Sequence, residues 1–140
     1  MRLPVKGFVQ VFKDGELLAS GHNTVVTSGL ELLANRIFGT TGVTLPNKLQ
    51  LSDDGRATTE DMTALQGTVK AEATATASLS GRVLAWTAEF TYAGNTSFYL
   101  RELGLVNSQN TLLCRFLTDV LAQINPGAAL KVQWQLTIGD

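Results

Sequence analysis

The chain has 140 residues, 44% hydrophobic and 16% charged, with a net charge of −1 and a pI near 5.8. That length suits one domain, residues 1–140, and lets roughly two-thirds of the unfolded chain's surface be buried without disulfides or metals. With no basic block the electrostatic footprint of a nucleic-acid binder is excluded, no run nears the ~18 apolar residues of a membrane span, and the one cysteine, Cys114, excludes an internal disulfide.

The charged fraction is below the usual ~25%. A surface short of charge leans toward assembly with other chains. The opening MRLPVKGFVQVF meets Lys6, Gln10 and Lys13 too early for a signal peptide.

Residues 3–20 read as a hairpin. Val5, Val9 and Val11 share one strand face and Phe8 and Phe12 the other, with Asp14-Gly15 as a two-residue turn and Glu16–Ser20 returning. Thr24-Val25-Val26 is β-branched and extended. Ser28 followed by Glu31 fits a capping box, and Leu30, Leu33, Ala34 and Ile37 recur at i, i+3, i+4, i+7. These predict a helix over about Gly29–Phe38, stopped by a left-handed Gly39 and packed by its apolar stripe on a sheet. His22, just ahead of it, reads as a polar loop residue.

Thr40–Asn47 is a loop, and Lys48–Ser52 alternates as a short strand. Asp53, Asp54, Glu60 and Asp61 raise a cation site, but their spacing does not match a calcium-hand loop, and a solvated acidic loop is the plainer reading. Thr59 is placed to cap a single turn through Glu60-Asp61-Met62. Residues 66–80 alternate small and polar side chains, with Ala71, Ala73, Ala75 and Ala77 on one side. Two readings stand side by side: an exposed arm or edge that pairs with a neighbour, and an ordinary edge strand over a thin part of the core.

Gly81–Tyr92 is a long strand with Leu84, Trp86, Ala88, Phe90 and Tyr92 on one face. Next come two apolar strands, Phe98–Val106 and Thr111–Thr118, joined by Asn107-Ser108-Gln109-Asn110. Few positions in them are polar, so both faces are expected to be covered, as at the centre of a packed sheet. Gly104 marks an expected bulge. Glu102 needs a partner, and Arg101 or Arg115 would supply one. Asp119–Gly127 reads as a connection. Leu130–Ile138 alternates, with Leu130, Val132, Trp134, Leu136 and Ile138 facing in.

About seven to nine strands with one helix predict a mainly β fold of the β-sandwich or jelly-roll type. Trp86, Phe90, Phe116, Trp134 and Leu136 are the expected core, each contributing about 1.5–3 kcal/mol when buried. No nucleophile elbow, phosphate loop or zinc His pair occurs, and no catalytic, cofactor-binding or metal residue is assigned. Cys114 reads as a buried strand thiol.

One ordered set of motifs goes further. Asn23-Thr24-Val25-Val26-Thr27-Ser28-Gly29 runs into a Leu-rich helix. Met62-Thr63-Ala64-Leu65 closes the Thr/Asp-rich loop. Arg101-Glu102-Leu103-Gly104-Leu105-Val106-Asn107 precedes the return Thr111-Leu112-Leu113-Cys114-Arg115-Phe116, and Trp134 sits in the terminal strand. Over nearly its whole length the chain resembles a family of small virion proteins from tailed bacteriophages. It departs from the pattern at Ser52-Asp53-Asp54-Gly55, where a Gly-Thr-Gly-rich segment is usual.

The resemblance implies a non-enzymatic structural role. It points to a head decoration (cement) protein on the capsid exterior, made in the bacterial host cytoplasm. The partners it implies are the major capsid protein and further copies of the chain, with a dimer favoured over a trimer. A tail, baseplate or fibre-attachment component is the alternative. A carbohydrate-binding β-sandwich using Tyr99 or Tyr92 is a third.

Overall fold

The computed structural model describes residues 5–139. In chain order its elements are β1 (Val5–Lys13), β2 (Glu16–His22), β3 (Thr24–Val25), α1 (Thr27–Phe38), β4 (Lys48–Ser52), β5 (Ala71–Thr74), β6 (Thr76–Ser80), β7 (Val83–Thr91), β8 (Phe98–Val106), β9 (Leu112–Ile124) and β10 (Ala129–Ile138). The strands form two five-stranded sheets, β2-β1-β10-β7-β6 and β3-β9-β8-β4-β5. Every pairing among them is antiparallel. The fold is mainly β with one short helix, a β-sandwich-like arrangement.

The core lies between the sheets. Val9, Val11, Trp86, Ala88, Leu130, Val132, Trp134 and Leu136 from the first sheet meet Leu49, Leu51, Leu103, Leu105, Cys114 and Phe116 from the second. Phe90 packs against this cluster while remaining partly accessible. The sheets differ in their outer faces. On the first, Gln10 pairs with Gln133 and Lys131 with Glu89, so one face is solvated and β7 and β10 alternate cleanly. On the second, the 53–70 segment covers the outside, while α1 lies across the end of the sandwich with Leu33 on the inter-sheet core. Met62 and Leu65 bury against Val106 and Leu112 on that outside, so Glu102–Val106 of β8 and Leu112–Phe116 of β9 are buried on both faces.

Turn chemistry fixes the hairpins. Asp14 (φ 51°) and Gly15 (φ 86°) are both left-handed, as a two-residue primed turn requires. The 107–110 loop is held by the buried Asn107 side chain. Its Oδ1 accepts from the Gln109 and Thr111 N–H groups at 3.0 and 2.9 Å, and its Nδ2 donates to Thr44 O at 3.0 Å.

Several expectations are revised. α1 starts at Thr27, and the capping box does not form: Ser28 Oγ donates to Leu112 O at 2.8 Å, while the Thr27 N–H is satisfied by Glu60 O at 2.9 Å. The helix end is as expected, with Gly39 at φ 87° and its N–H shared between Asn35 O and Arg36 O.

The stripe does not pack whole. Gly29 rides directly on the Leu113 carbonyl, where a Cβ would collide, and this close approach buries Leu32. Leu33 reaches the core, but Leu30 is half exposed and Ile37 is 88% exposed.

Strand β9 does not end at Thr118. It continues to Ile124 past an offset opposite Leu100 and Glu102, kept in the ladder by Thr118 Oγ1 donating to Leu100 O at 2.9 Å. Only 125–128 connect it to β10. Gly104 sits in register between Gln50 and Arg115, and the bulges fall beside it, at 100/102 and 105/106. What Gly104 provides is room: a Cβ there would lie 2.8 Å from Leu65 Cδ2. Residues 66–80 do not project as one strand. Ala71–Thr74 closes the second sheet and Thr76–Ser80 the first, with Ala75 buried at the crossing.

Candidate functional site

The densest polar constellation lies on the outer face of the second sheet. Glu102 on β8 and Arg115 on β9 both point outward, toward the 53–67 loop. Arg115 Nε donates to Glu102 Oε2 at 2.7 Å, and both side chains are 0% exposed. The remaining donors of Arg115 hold the loop: Nη1 to Arg56 O and to Thr58 Oγ1, each at 2.7 Å, and Nη2 to Asp54 O at 3.3 Å. Glu102 accepts the Gln66 and Gly67 N–H groups at 3.2 and 2.8 Å.

A buried ion pair is tolerable only when its other lone pairs and protons are also bonded. Here they are bonded to loop backbone. The pair therefore acts as a clamp that lays an otherwise irregular segment onto the sheet. Arg101, the other candidate partner, lies on the exposed side of β8 against Gly55.

Three of the loop's four acidic residues, Asp53, Asp54 and Asp61, are held by neighbouring side chains. Asp54 takes Arg56 in a two-point pair, at 2.9 and 2.8 Å. The Arg56 hydrogen bonds hold the Asp54 carboxyl below its ordinary pKa, and the same contact raises Arg56. Asp53 faces Lys70 at 3.9 Å, and Thr59 donates its hydroxyl to Asp61. Among the described residues no three His, Cys, Asp or Glu side chains gather as metal ligands would.

Cys114 and His22 are not brought together as a nucleophile and base. Cys114 is buried between the sheets, where desolvation pushes its thiol well up, offset in part by the Trp134 indole N–H. A sulfur is a weak acceptor, and the buried Trp134 N–H has no hydrogen-bond partner of ordinary geometry. His22 lies exposed on the outer face of the first sheet, edge-on to Phe8, its Nδ1–H donating to Gly7 O at 3.0 Å. Tyr92 is not an exposed sugar platform. It is buried edge-to-face on Phe98, with its hydroxyl donating to Thr96 O at 2.7 Å. Tyr99 is exposed.

Large apolar side chains are exposed at several places, Leu17 and Leu121 among them. One such place is a groove of about 490 Å³ between α1 and the end of the first sheet, walled by Leu30, Leu33, Ile37, Leu45, Leu84 and Leu136. Arg36, its one charged wall residue, donates to Val43 O at 3.0 Å. Ile37 (88% exposed) and Phe38 (87%) stand at its rim end of the helix. Another is the edge strand β6, where Leu79 is 70% exposed. Periodicity assigns Ile37 to the core, and only the seating of Gly29 on β9 shows that the stripe turns outward. Phe38, next to the helix-stopping Gly39, was the available signal: a large aromatic in the last turn and off the stripe.

No helix among the described residues is long and apolar enough to cross a membrane. No family model matches this chain, and neither a curated protein nor a solved structure does.

Proposed function

We propose that the chain is a non-enzymatic virion structural protein of a tailed bacteriophage, placed on the outside of the head, where it cements neighbouring major capsid subunits. The observation that carries this reading is the division between interior chemistry and exposed surface. The deepest charged groups, Glu102 and Arg115, are spent on holding a loop, whereas large apolar side chains, Leu30, Ile37, Phe38 and Leu79, stand in solvent at one end and one edge of the sandwich. Exposed apolar surface of this kind marks sites that bury against another protein.

A small β domain with such a surface need bind each capsid subunit only modestly. Copies that bridge several subunits gain by effective concentration what each contact lacks. The motif resemblance and the low charge support this reading.

The test is particle robustness. Heads lacking the protein are expected to burst at lower temperature or under milder osmotic shock, with purified protein restoring the wild-type threshold. Equal robustness with and without the protein contradicts cementing.

A further inference from the structure

Four strands end the two sheets: β2 and β6 in one, β3 and β5 in the other. An edge strand offers a row of free N–H and C=O groups to any other chain, and folded proteins blunt such edges with shortness, charge or bulges. Three of these edges are blunted. β3 is two residues long. β5 is four residues and carries Glu72, paired with Lys48 at 3.8 Å. β2 opens on Glu16, and its ladder with β1 breaks at a bulge between Val11 and Phe12.

β6 has none of these devices. Thr76-Ala77-Ser78-Leu79-Ser80 contains no charge, no Pro and no Gly, and every residue is exposed. It runs in unbroken register with β7, from Thr76 opposite Thr87 to Ser80 opposite Val83. Among the described residues its outer side has no backbone partner.

We infer that β6 pairs antiparallel with β6 of a second copy about a two-fold axis at Ser78. Ser78 then faces its own counterpart, and Ala77 faces the partner's Leu79. Symmetry selects a second copy as the occupant. A two-fold brings each central edge residue opposite itself or a near neighbour, so a charged edge would set like charges across the ladder, which is destabilising. β6 is the one edge of more than two residues that carries no charged residue.

Side-chain alignment points the same way. Leu79 lies opposite Leu84, and Leu84 opposite Leu136, so all three share the inner face of the sheet. Ala77 lies opposite Trp86, and Trp86 opposite Trp134. Self-pairing joins the row Leu136–Leu84–Leu79 of one copy to the row Ala77–Trp86–Trp134 of the other. The exposed Leu79 gains an apolar neighbour on its open side, and the two five-stranded sheets become continuous. The inference does not rest on the virion reading, because it is measured on the purified chain alone.

The experiment is sedimentation velocity on the intact chain up to about 100 µM, a range that captures micromolar association. The expected result is a concentration-dependent dimer. Ser78 shares the solvent face with Ala85, so Ser78→Glu and Ser78→Lys should leave the fold intact, shown by unchanged melting. Each alone should sediment as a monomer, and their equimolar mixture should restore the dimer. Ser20→Glu, on the β2 edge, should stay dimeric. Ser78→Cys should cross-link under mild oxidation where Ser20→Cys does not, which decides the matter even if a charged variant misfolds. A wild-type chain that stays monomeric throughout this range, a Ser78→Glu dimer of wild-type strength, or equal cross-linking at both cysteines overturns the inference.

Discussion

Arg115 Nε meets Glu102 Oε2 at 2.7 Å with both side chains shut off from solvent, and the two between them bind five loop groups: the Asp54 and Arg56 carbonyls, the Thr58 hydroxyl, and the Gln66 and Gly67 amides. Removing one member leaves a buried charge without its partner, which costs about 3–5 kcal/mol. Arg115→Leu or Glu102→Leu should each lower stability by that order. The double variant should lose less than the sum of the two, because the remaining penalty is shared. Urea unfolding checks the energies. Limited proteolysis checks the location, with cleavage within residues 53–67 appearing before any other.

Gly29 and Gly104 both accept a close neighbour, but of different kinds. A Cβ at Gly29 meets the Leu113 backbone carbonyl, which cannot yield without moving β9, whereas one at Gly104 meets the side-chain ends of Leu65 and Leu112 at 2.8 and 3.0 Å. Alanine favours a helix over glycine by about 1 kcal/mol, while overpacking costs about 1–3 kcal/mol. Gly29→Ala should therefore be net destabilising despite its helical position, and more so than Gly104→Ala. Chemical denaturation of the two variants gives the ranking.

Burial holds the Cys114 thiol well above its ordinary value of 9.0. The folded state keeps this proton more tightly than the unfolded state. Its contribution to stability is complete below the ordinary value and is lost as pH rises through the folded one. Stability should fall above about pH 9, and Cys114→Ala should flatten that alkaline arm while costing about 1 kcal/mol for the lost volume. Urea midpoints of the two chains across this range test the slope. A thiol reagent at pH 8 should label Cys114 only as fast as the chain unfolds.

Ile37 and Phe38 stand almost wholly in solvent. Changes at such positions usually stay within about 0.5 kcal/mol, so Ile37→Lys with Phe38→Lys should leave the melting profile close to wild type. On the proposed function the same pair should abolish attachment to the head. Co-sedimentation with purified particles measures it, and undiminished attachment would move the contact elsewhere on the surface.

What was legible in the sequence is what short-range physics dictates. Lys48–Ser52, the Asp14-Gly15 turn, the strand from Phe98 to Val106 and the inward row of β10 all stand as read, because period-two alternation and left-handed turn residues act locally. The missed features depend on contacts between distant segments. Thr118 carries β9 onward through a bond to Leu100 O, eighteen residues away. Ser28 is drawn from its capping role by Leu112 O, eighty-four residues away. The choice of Arg115 over Arg101 follows from strand parity at the 100/102 bulge, which turns Arg101 to the exposed side. The clamp itself was half readable, since a carboxylate in an apolar strand demands a cation. Its loop partners were not readable, because backbone carbonyls and amides carry no sequence signature.

The most direct test of the proposed function is whether and where this chain sits on a phage particle, obtained by cryo-electron microscopy of virions. The account predicts density for a two-sheet domain repeated hundreds of times over the outer shell, seated across boundaries between major capsid subunits, with the α1 end turned toward the shell. Density confined to the tail or baseplate, or particles that lack the chain altogether, would contradict it.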